Sequence, residues 1–201
     1  MNEEQAPITA EFPPKKPLWK TIIREVLIFA VIAVGVVLPF RMYVAEPYLV
    51  SGSSMDPTFE TGDYLVVNKI GYRMGEPQRG QVVIFEFPLP IKGEEGKNLI
   101  KRIVGLPGET VVLNGTNVTI VNTEHPEGIR LDESFLTYTA PASMSVTLGA
   151  DEYFVLGDNR PVSYDSRSWG ILPRKYIIGT PLVRLFPFTK ISIYPGNHIG
   201  Q

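Results

Sequence analysis

The 201-residue chain has no cysteine and only two histidines, His125 and His198, far apart in turn-like or terminal sequence. The first absence excludes disulfides, thiol catalysis and cysteine-ligated metals. The second argues against a histidine-based triad and against a zinc site of several histidines. If the chain is a hydrolase, its base is expected to be another residue type. An excess of positive charge is missing too. A formal net charge of −2 and a pI near 5.8 leave no basic footprint for nucleic acid. No internal repeat is evident.

What stands out instead is a run without charge, Val26 to Phe40. As a helix it spans about 22 Å, whereas crossing a bilayer takes roughly 20 residues. Ile22-Ile23 before it and Met42 to Ala45 after it supply the missing length, and Arg24 and Arg41 can snorkel at the ends. A transmembrane helix is therefore expected over residues 21–45. The competing reading is a cleaved secretory signal. Against it, the N-terminal arm is long and proline-rich, and Tyr43-Val44-Ala45 is a poor small-x-small cleavage site. Lys15, Lys16, Lys20 and Arg24 precede the run, and only Arg41 closely follows. The positive-inside rule then leaves residues 1–20 as a disordered cytoplasmic tail and puts residues 46–201 outside the cytoplasm.

After this segment the signals are almost all β. Asp63 to Lys69, Gln81 to Phe87 and Asn98 to Val104 are rich in β-branched and aromatic residues and bounded by Gly and Pro. Thr110 to Leu113, Asn114-Gly115 and Asn117 to Val121 form a hairpin signal, because Asn-Gly suits a type I′ turn. Glu152 to Leu156 and Ile177 to Leu185 are later strands; residues 122–150 give no clear pattern. The expected fold is mainly β, an antiparallel barrel or sandwich.

Three segments carry chemistry. Val50-Ser51-Gly52-Ser53-Ser54-Met55-Asp56-Pro57-Thr58 has the composition of a linker, yet it leads straight into strand-like sequence. Tight turns of this kind can also expose a serine hydroxyl beside converging backbone N–H groups. Lys101 shares a strand face with Leu99 and Ile103, while Arg102 points the other way. Such a lysine either snorkels at a sheet edge or is buried with a lowered pKa. At the ordinary pKa roughly 0.04 % of lysines are neutral at pH 7; a shift to about 8 raises this to roughly 10 %. Only the second kind can act as a general base. The third segment, Gly157 to Gly170, is dense in turn-formers and charges. It reads as a loop in which Asp158, Arg160, Asp165 and Arg167 pair locally. A metal site of Asp158, Asn159 and Asp165 misses the EF-hand spacing.

Together these segments resemble the type I bacterial signal peptidases, membrane-anchored Ser/Lys proteases, over the chain from the apolar run to about Gly170. Ser54-Met55-Asp56-Pro57-Thr58 matches that family's Ser-Met-x-Pro-Thr box, and Lys101-Arg102-Ile103-Val104-Gly105-Leu106-Pro107-Gly108-Glu109 matches its lysine box. Residues 157–170 fit its Gly-Asp-Asn-Arg-x-x-Ser-x-Asp-Ser-Arg-x-Trp-Gly box. The resemblance implies Ser54 as nucleophile, Lys101 as general base, Ser163 as a hydrogen-bonding guide for the amine, and Asp165 and Arg167 as a structural pair. It implies no metal or organic cofactor. The substrates would be secretory preproteins with small residues at −1 and −3 of the signal-peptide cleavage site, met at the lipid bilayer. Val50, Met55 and Ile100 match pocket-lining positions. The fold would be a β-rich catalytic domain with a small β insertion at about 109–150.

Two departures stand out. Many relatives carry a serine at the position of Gly52, whose hydroxyl helps bind the oxyanion; here that hole is expected to rest on backbone N–H groups. Pro161-Val162 replaces a more polar pair. Two rival readings share parts of the pattern. Ser/Lys autoproteases of the SOS-repressor class are soluble and act on themselves, which the apolar run opposes. A catalytically inactive, membrane-tethered β-domain that binds secreted proteins would not need both Ser54 and Lys101. Endoplasmic-reticulum relatives use histidine in place of the lysine, so the bacterial or organellar branch is expected. Nothing in the sequence sets an oligomeric state.

Overall fold

The computed structural model describes residues 18–38, 45–71, 75–90 and 96–197. The chain divides into two units, residues 1–40 and 41–201. The first holds α1 (Leu18–Ile32), continued by a π-helical turn at Ala33–Val37. Arg24 pairs with Glu25 at 2.9 Å, and the apolar side chains from Trp19 to Leu38 that flank them are exposed. Among the described residues no helix is long and apolar enough to cross a membrane. Of the 21–45 helix expected from the sequence, residues 39–44 lie outside the described residues. The α-helical register stops at Ile32, and Ala45 already belongs to a strand. The 1–20 tail lies largely outside the described residues.

The second unit is mainly β. β1 (Ala45–Leu49), β2 (Tyr64–Asn68), β3 (Val82–Glu86), β4 (Asn98–Gly105), β9 (Glu152–Leu156), β10 (Leu172–Pro173), β11 (Ile177–Phe186) and β12 (Ser192–Ile193) form an eight-stranded antiparallel sheet. Its order is β1-β2-β11-β3-β4-β9-β10, with β12 beside β11. β11 serves as the pivot: Ile177 and Gly179 pair with β3, and Thr180 to Phe186 pair with β2. Register shifts along β11 and between Ile103 and Gly105 of β4 bend the ladder, as bulges do. The result is a curled half-barrel whose edge strands β1 and β10 do not pair with each other, rather than a closed barrel.

A second sheet lies within residues 110–147, in the order β7-β6-β5-β8: β5 (Thr110–Gly115), β6 (Asn117–Val121), β7 (Ile129–Arg130) and β8 (Ala142–Thr147). Its hairpin turns at Gly115-Thr116, one residue later than the Asn-Gly signal suggests. Asn114 pairs with Asn117, and only Gly115 takes a positive φ, the pattern of a turn with glycine first. Strands β7 and β8 come from the stretch without a readable pattern; β8 alternates between half-buried and exposed positions, but half of those positions are Ser or Thr.

β4 joins these parts because both of its faces are covered. Leu99 and Ile103 pack with Val83, Phe85, Tyr153, Val155 and Trp169. Val104 packs with Val111, Leu113, Ile120 and Phe154 on the side of the second sheet. A strand enclosed in this way desolvates any charge it carries. Lys101 and Arg102 sit in its middle at 3 % and 2 % exposure.

Candidate active site

The serine segment is a turn fixed at its base. Val50 N–H donates to Asp63 O at 2.9 Å, and Gly62 N–H donates to Val50 O at 3.0 Å. Above this clamp Gly52 adopts φ +99°, a backbone state that L side chains rarely enter. From there the chain winds through Ser53 and Ser54 into turns closed by Asp56 N–H to Ser53 O and by Phe59 N–H to Met55 O. Beneath the turn Val50, Met55 and Phe59 are buried with Leu65 and Val82, and Ile100 packs against them. Of the three residues matched to pocket positions, Val50 and Met55 are therefore core side chains at 6 % and 1 % exposure. Ile100 keeps an intermediate exposure.

Lys101 reaches this turn from β4. Its Nζ donates to Ser54 Oγ at 2.7 Å and to the Ile100 carbonyl at 2.9 Å. Burial pushes the amine down from 10.5 to about 8, and the carboxylates of Asp165 and Asp158 pull it only part of the way back. A half-buried serine hydroxyl and a buried lysine amine of depressed pKa thus meet at hydrogen-bonding distance. Such a pair can pass a proton from oxygen to nitrogen as the oxygen attacks a carbonyl. Gly52 offers no hydroxyl. The Ser54 N–H makes no hydrogen bond with any described residue, so it is free to receive a developing oxyanion.

The third segment packs against the serine turn. Asn159 N–H donates to Ser54 O at 3.0 Å. Gly157 comes so close that an added Cβ would collide with the Ser163 side chain and the Ser54 carbonyl. Asp165 is fully buried and caps α2 (Ser166–Trp169) by accepting from Arg167 N–H at 3.2 Å. It also accepts from Gly157 N–H at 3.0 Å and from Arg167 Nε and NH2 at 2.8 Å each.

Several expectations are corrected here. Ser163 does not hydrogen-bond the lysine amine: its Oγ is buried and has no partner among the described residues. Local charge pairing holds only for Asp165 with Arg167. Asp158 is bound instead by Arg102, with Nε at 2.8 Å and NH2 at 2.6 Å, and by Thr58 Oγ1 at 2.6 Å. Arg160 pairs with Glu133 of the second sheet's connecting segment. The reason is reach. Asp158 and Arg102 are 56 residues apart and meet only because β4 lies beside β9. The two carboxylates weighed for a metal are thus each spent on a guanidinium. Nothing in the sequence points to Arg102, Thr58 or Gly157 beyond their places inside the three boxes.

The chain is also similar to known proteins. The family described as signal peptidase, peptidase S26, matches residues 23–186. A probable signal peptidase I-2 of Synechocystis sp. is 35 % identical over 91 % of this chain and 80 % of its own length. A signal peptidase I of Leptolyngbya laminosa is 33 % identical over 96 % of each chain. A signal peptidase IB of Staphylococcus aureus is 29 % identical over 91 % of this chain and 98 % of its own. A crystal structure of a signal peptidase I from Enterococcus faecalis V583 superposes with a TM-score of 0.40 at 30 % identity, covering 53 % of this chain and 97 % of that one. With the match spanning most of its length, the chain belongs to the signal peptidase family, peptidase S26.

Proposed function

We propose that this chain is a signal peptidase I, a serine endopeptidase that cuts N-terminal signal peptides from secretory preproteins with a Ser54/Lys101 dyad. The observation that carries the reading is the 2.7 Å contact between Lys101 Nζ and Ser54 Oγ, made by an amine whose pKa is lowered to about 8. In the neutral form the amine accepts the Ser54 proton as Oγ bonds to the scissile carbonyl carbon. The Ser54 N–H binds the oxyanion of the tetrahedral intermediate. The lysine, now an ammonium, gives its proton to the departing amine, leaving an acyl-enzyme. Water then attacks the ester with Lys101 again as base, which releases the signal peptide and restores Ser54. Arg167 neutralises Asp165, and Asp165 holds Gly157 N–H, so this pair keeps the third segment seated against the serine turn.

The substrate class, preproteins with small −1 and −3 residues, follows from the family. The apolar packing beside the serine turn supports it, because Val50 and Met55 are core side chains with the half-buried Ile100 against them and leave little depth for a large side chain. The exposed apolar side chains of α1 and the charge bias around them support a single-pass bilayer anchor with the N-terminus in the cytoplasm and residues 46–201 outside. The decisive experiment is cleavage of a membrane-inserted preprotein by detergent-solubilised wild type and Ser54→Ala. Turnover by the wild type alone supports the assignment, whereas equal cleavage by both removes it.

A further inference from the structure

Gly52 lacks the side chain that would lend the oxyanion a hydroxyl, and a Cβ built on it meets nothing within 4 Å. The job of placing the donor therefore falls to the backbone. Two peptide planes lead into the Ser54 N–H, and each is pinned by its carbonyl. The Ser53 carbonyl, in the same plane as the Ser54 N–H, accepts from Asp56 N–H at 3.2 Å. The Gly52 carbonyl, one plane earlier, accepts from Thr61 Oγ1 at 3.1 Å, and the same Thr61 hydroxyl accepts from Gly52 N–H at 3.0 Å. One hydroxyl thus holds both polar backbone groups of a residue at φ +99°. A glycine is the residue with the widest conformational freedom, so these two bonds act where the turn is softest.

We propose that Thr61 is a positioning residue for transition-state stabilisation: it locks Gly52 and thereby aims the Ser54 N–H. This rests on Ser54 being the nucleophile. Thr61 touches neither the reacting atoms nor Lys101 in the described contacts; it acts through the Gly52–Ser53 peptide. Because the oxyanion exists only during reaction, a misaimed N–H lowers kcat and leaves substrate binding alone. One backbone donor to an oxyanion is worth about 10²- to 10³-fold in rate, so partial misorientation is expected to cost about tenfold or more.

The test compares Thr61→Val, which keeps the shape without the hydroxyl, with Thr61→Ser, which keeps the hydroxyl. Single-turnover and steady-state cleavage of a preprotein are followed across pH for full-length enzyme in detergent. Thr61 is exposed, so both variants are expected to fold, and thermal melts check this. The expected result is a kcat at least about tenfold lower in Thr61→Val with KM within about twofold. Thr61→Ser should stay within about threefold of wild type, and the apparent pKa of kcat/KM should be unchanged in both, since the lysine is untouched. Wild-type kcat in Thr61→Val overturns the proposal, as does a loss confined to KM or equal loss in Thr61→Ser. A Thr61→Val protein that melts early and is not rescued by serine also overturns it, since that is a merely structural role. Ser54→Ala run alongside separates the failures: activity there would sink the nucleophile assignment itself, whatever Thr61 does.

Discussion

Arg102 and Asp158 form a two-pronged ion pair at 2.8 and 2.6 Å, with both side chains at 3 % exposure or less. Arg102 follows the proposed base in the chain, and Asp158 precedes Asn159, whose N–H holds the Ser54 carbonyl. Thr58 of the serine segment donates to the same carboxylate. The serine segment, β4 and the third segment thus all meet at this one buried charge pair.

Removing one partner strands the other charge in the interior, which costs about 3–5 kcal/mol. Asp158→Ala is therefore expected to lose that much stability in urea unfolding of the solubilised protein, with activity falling alongside. Replacing both partners with apolar residues of similar volume should recover much of the stability but not the activity. If Asp158→Ala unfolds at the wild-type urea midpoint, the pair is not the tie described.

The pH profile depends on Lys101. Its amine must be neutral to take the Ser54 proton, so kcat/KM should rise with pH through about 8 and level off above it. Lys101→Arg should be inactive at every working pH, because a guanidinium stays protonated. A profile still climbing through pH 10 would place the amine in water rather than in the interior.

The same lysine sets a stability trend of known sign. Its folded-state pKa lies below 10.5, so the native state binds fewer protons than the unfolded state between about pH 8 and 10.5, and stability rises with pH across that window. Below pH 8 the buried ammonium costs about 3 kcal/mol. Lys101→Met should be inactive yet melt several degrees higher than wild type at pH 7, and calorimetry should show this gap narrowing as pH rises past 8. An unchanged melting temperature at pH 7 would mean that the burial penalty is met by other contacts.

Ser51, Ser53 and Ser54 stand close in sequence, and only Ser54 Oγ is bonded to the lysine. Ser54→Ala should abolish acyl-enzyme formation, whereas Ser51→Ala and Ser53→Ala should retain activity within about tenfold. Mass spectrometry of enzyme trapped with a serine-directed acylating inhibitor should put the adduct on Ser54. An adduct on Ser53 would reassign the nucleophile.

Ser163 and Gly157 make a coupled case. The Ser163 hydroxyl is buried without a partner among the described residues, so Ser163→Ala should be neutral to stabilising, by up to about 1–3 kcal/mol. Gly157→Ala should do the reverse, since its methyl would strike Ser163 and the Ser54 carbonyl and push the third segment off the nucleophile turn. Rate and melting temperature should both fall in Gly157→Ala, and the double variant should regain part of the loss. Full activity in Gly157→Ala would show that this close approach is dispensable.

The sequence alone determined the β character, seven of the strands to within two residues at either end, and the three segments that carry the chemistry. It could do so because alternation, turn residues and box spacing are local properties. It also put Lys101 on a face with Leu99 and Ile103, where the structure finds it buried. Local signals failed where order is borrowed from neighbours. β8, with Ser or Thr at alternate positions, is a strand because β5 pairs with it, and β1, of which only Ala45 fell within the expected helix, was given no strand because its pairing partner lies some twenty residues on. Which charges pair, which hydroxyl is left orphaned and where Thr61 meets Gly52 were decided by tertiary structure alone. Arg102 and Asp158 lie 56 positions apart and are joined because β4 runs beside β9, while Gly52 and Thr61, nine apart, meet because the serine turn folds back on its own base.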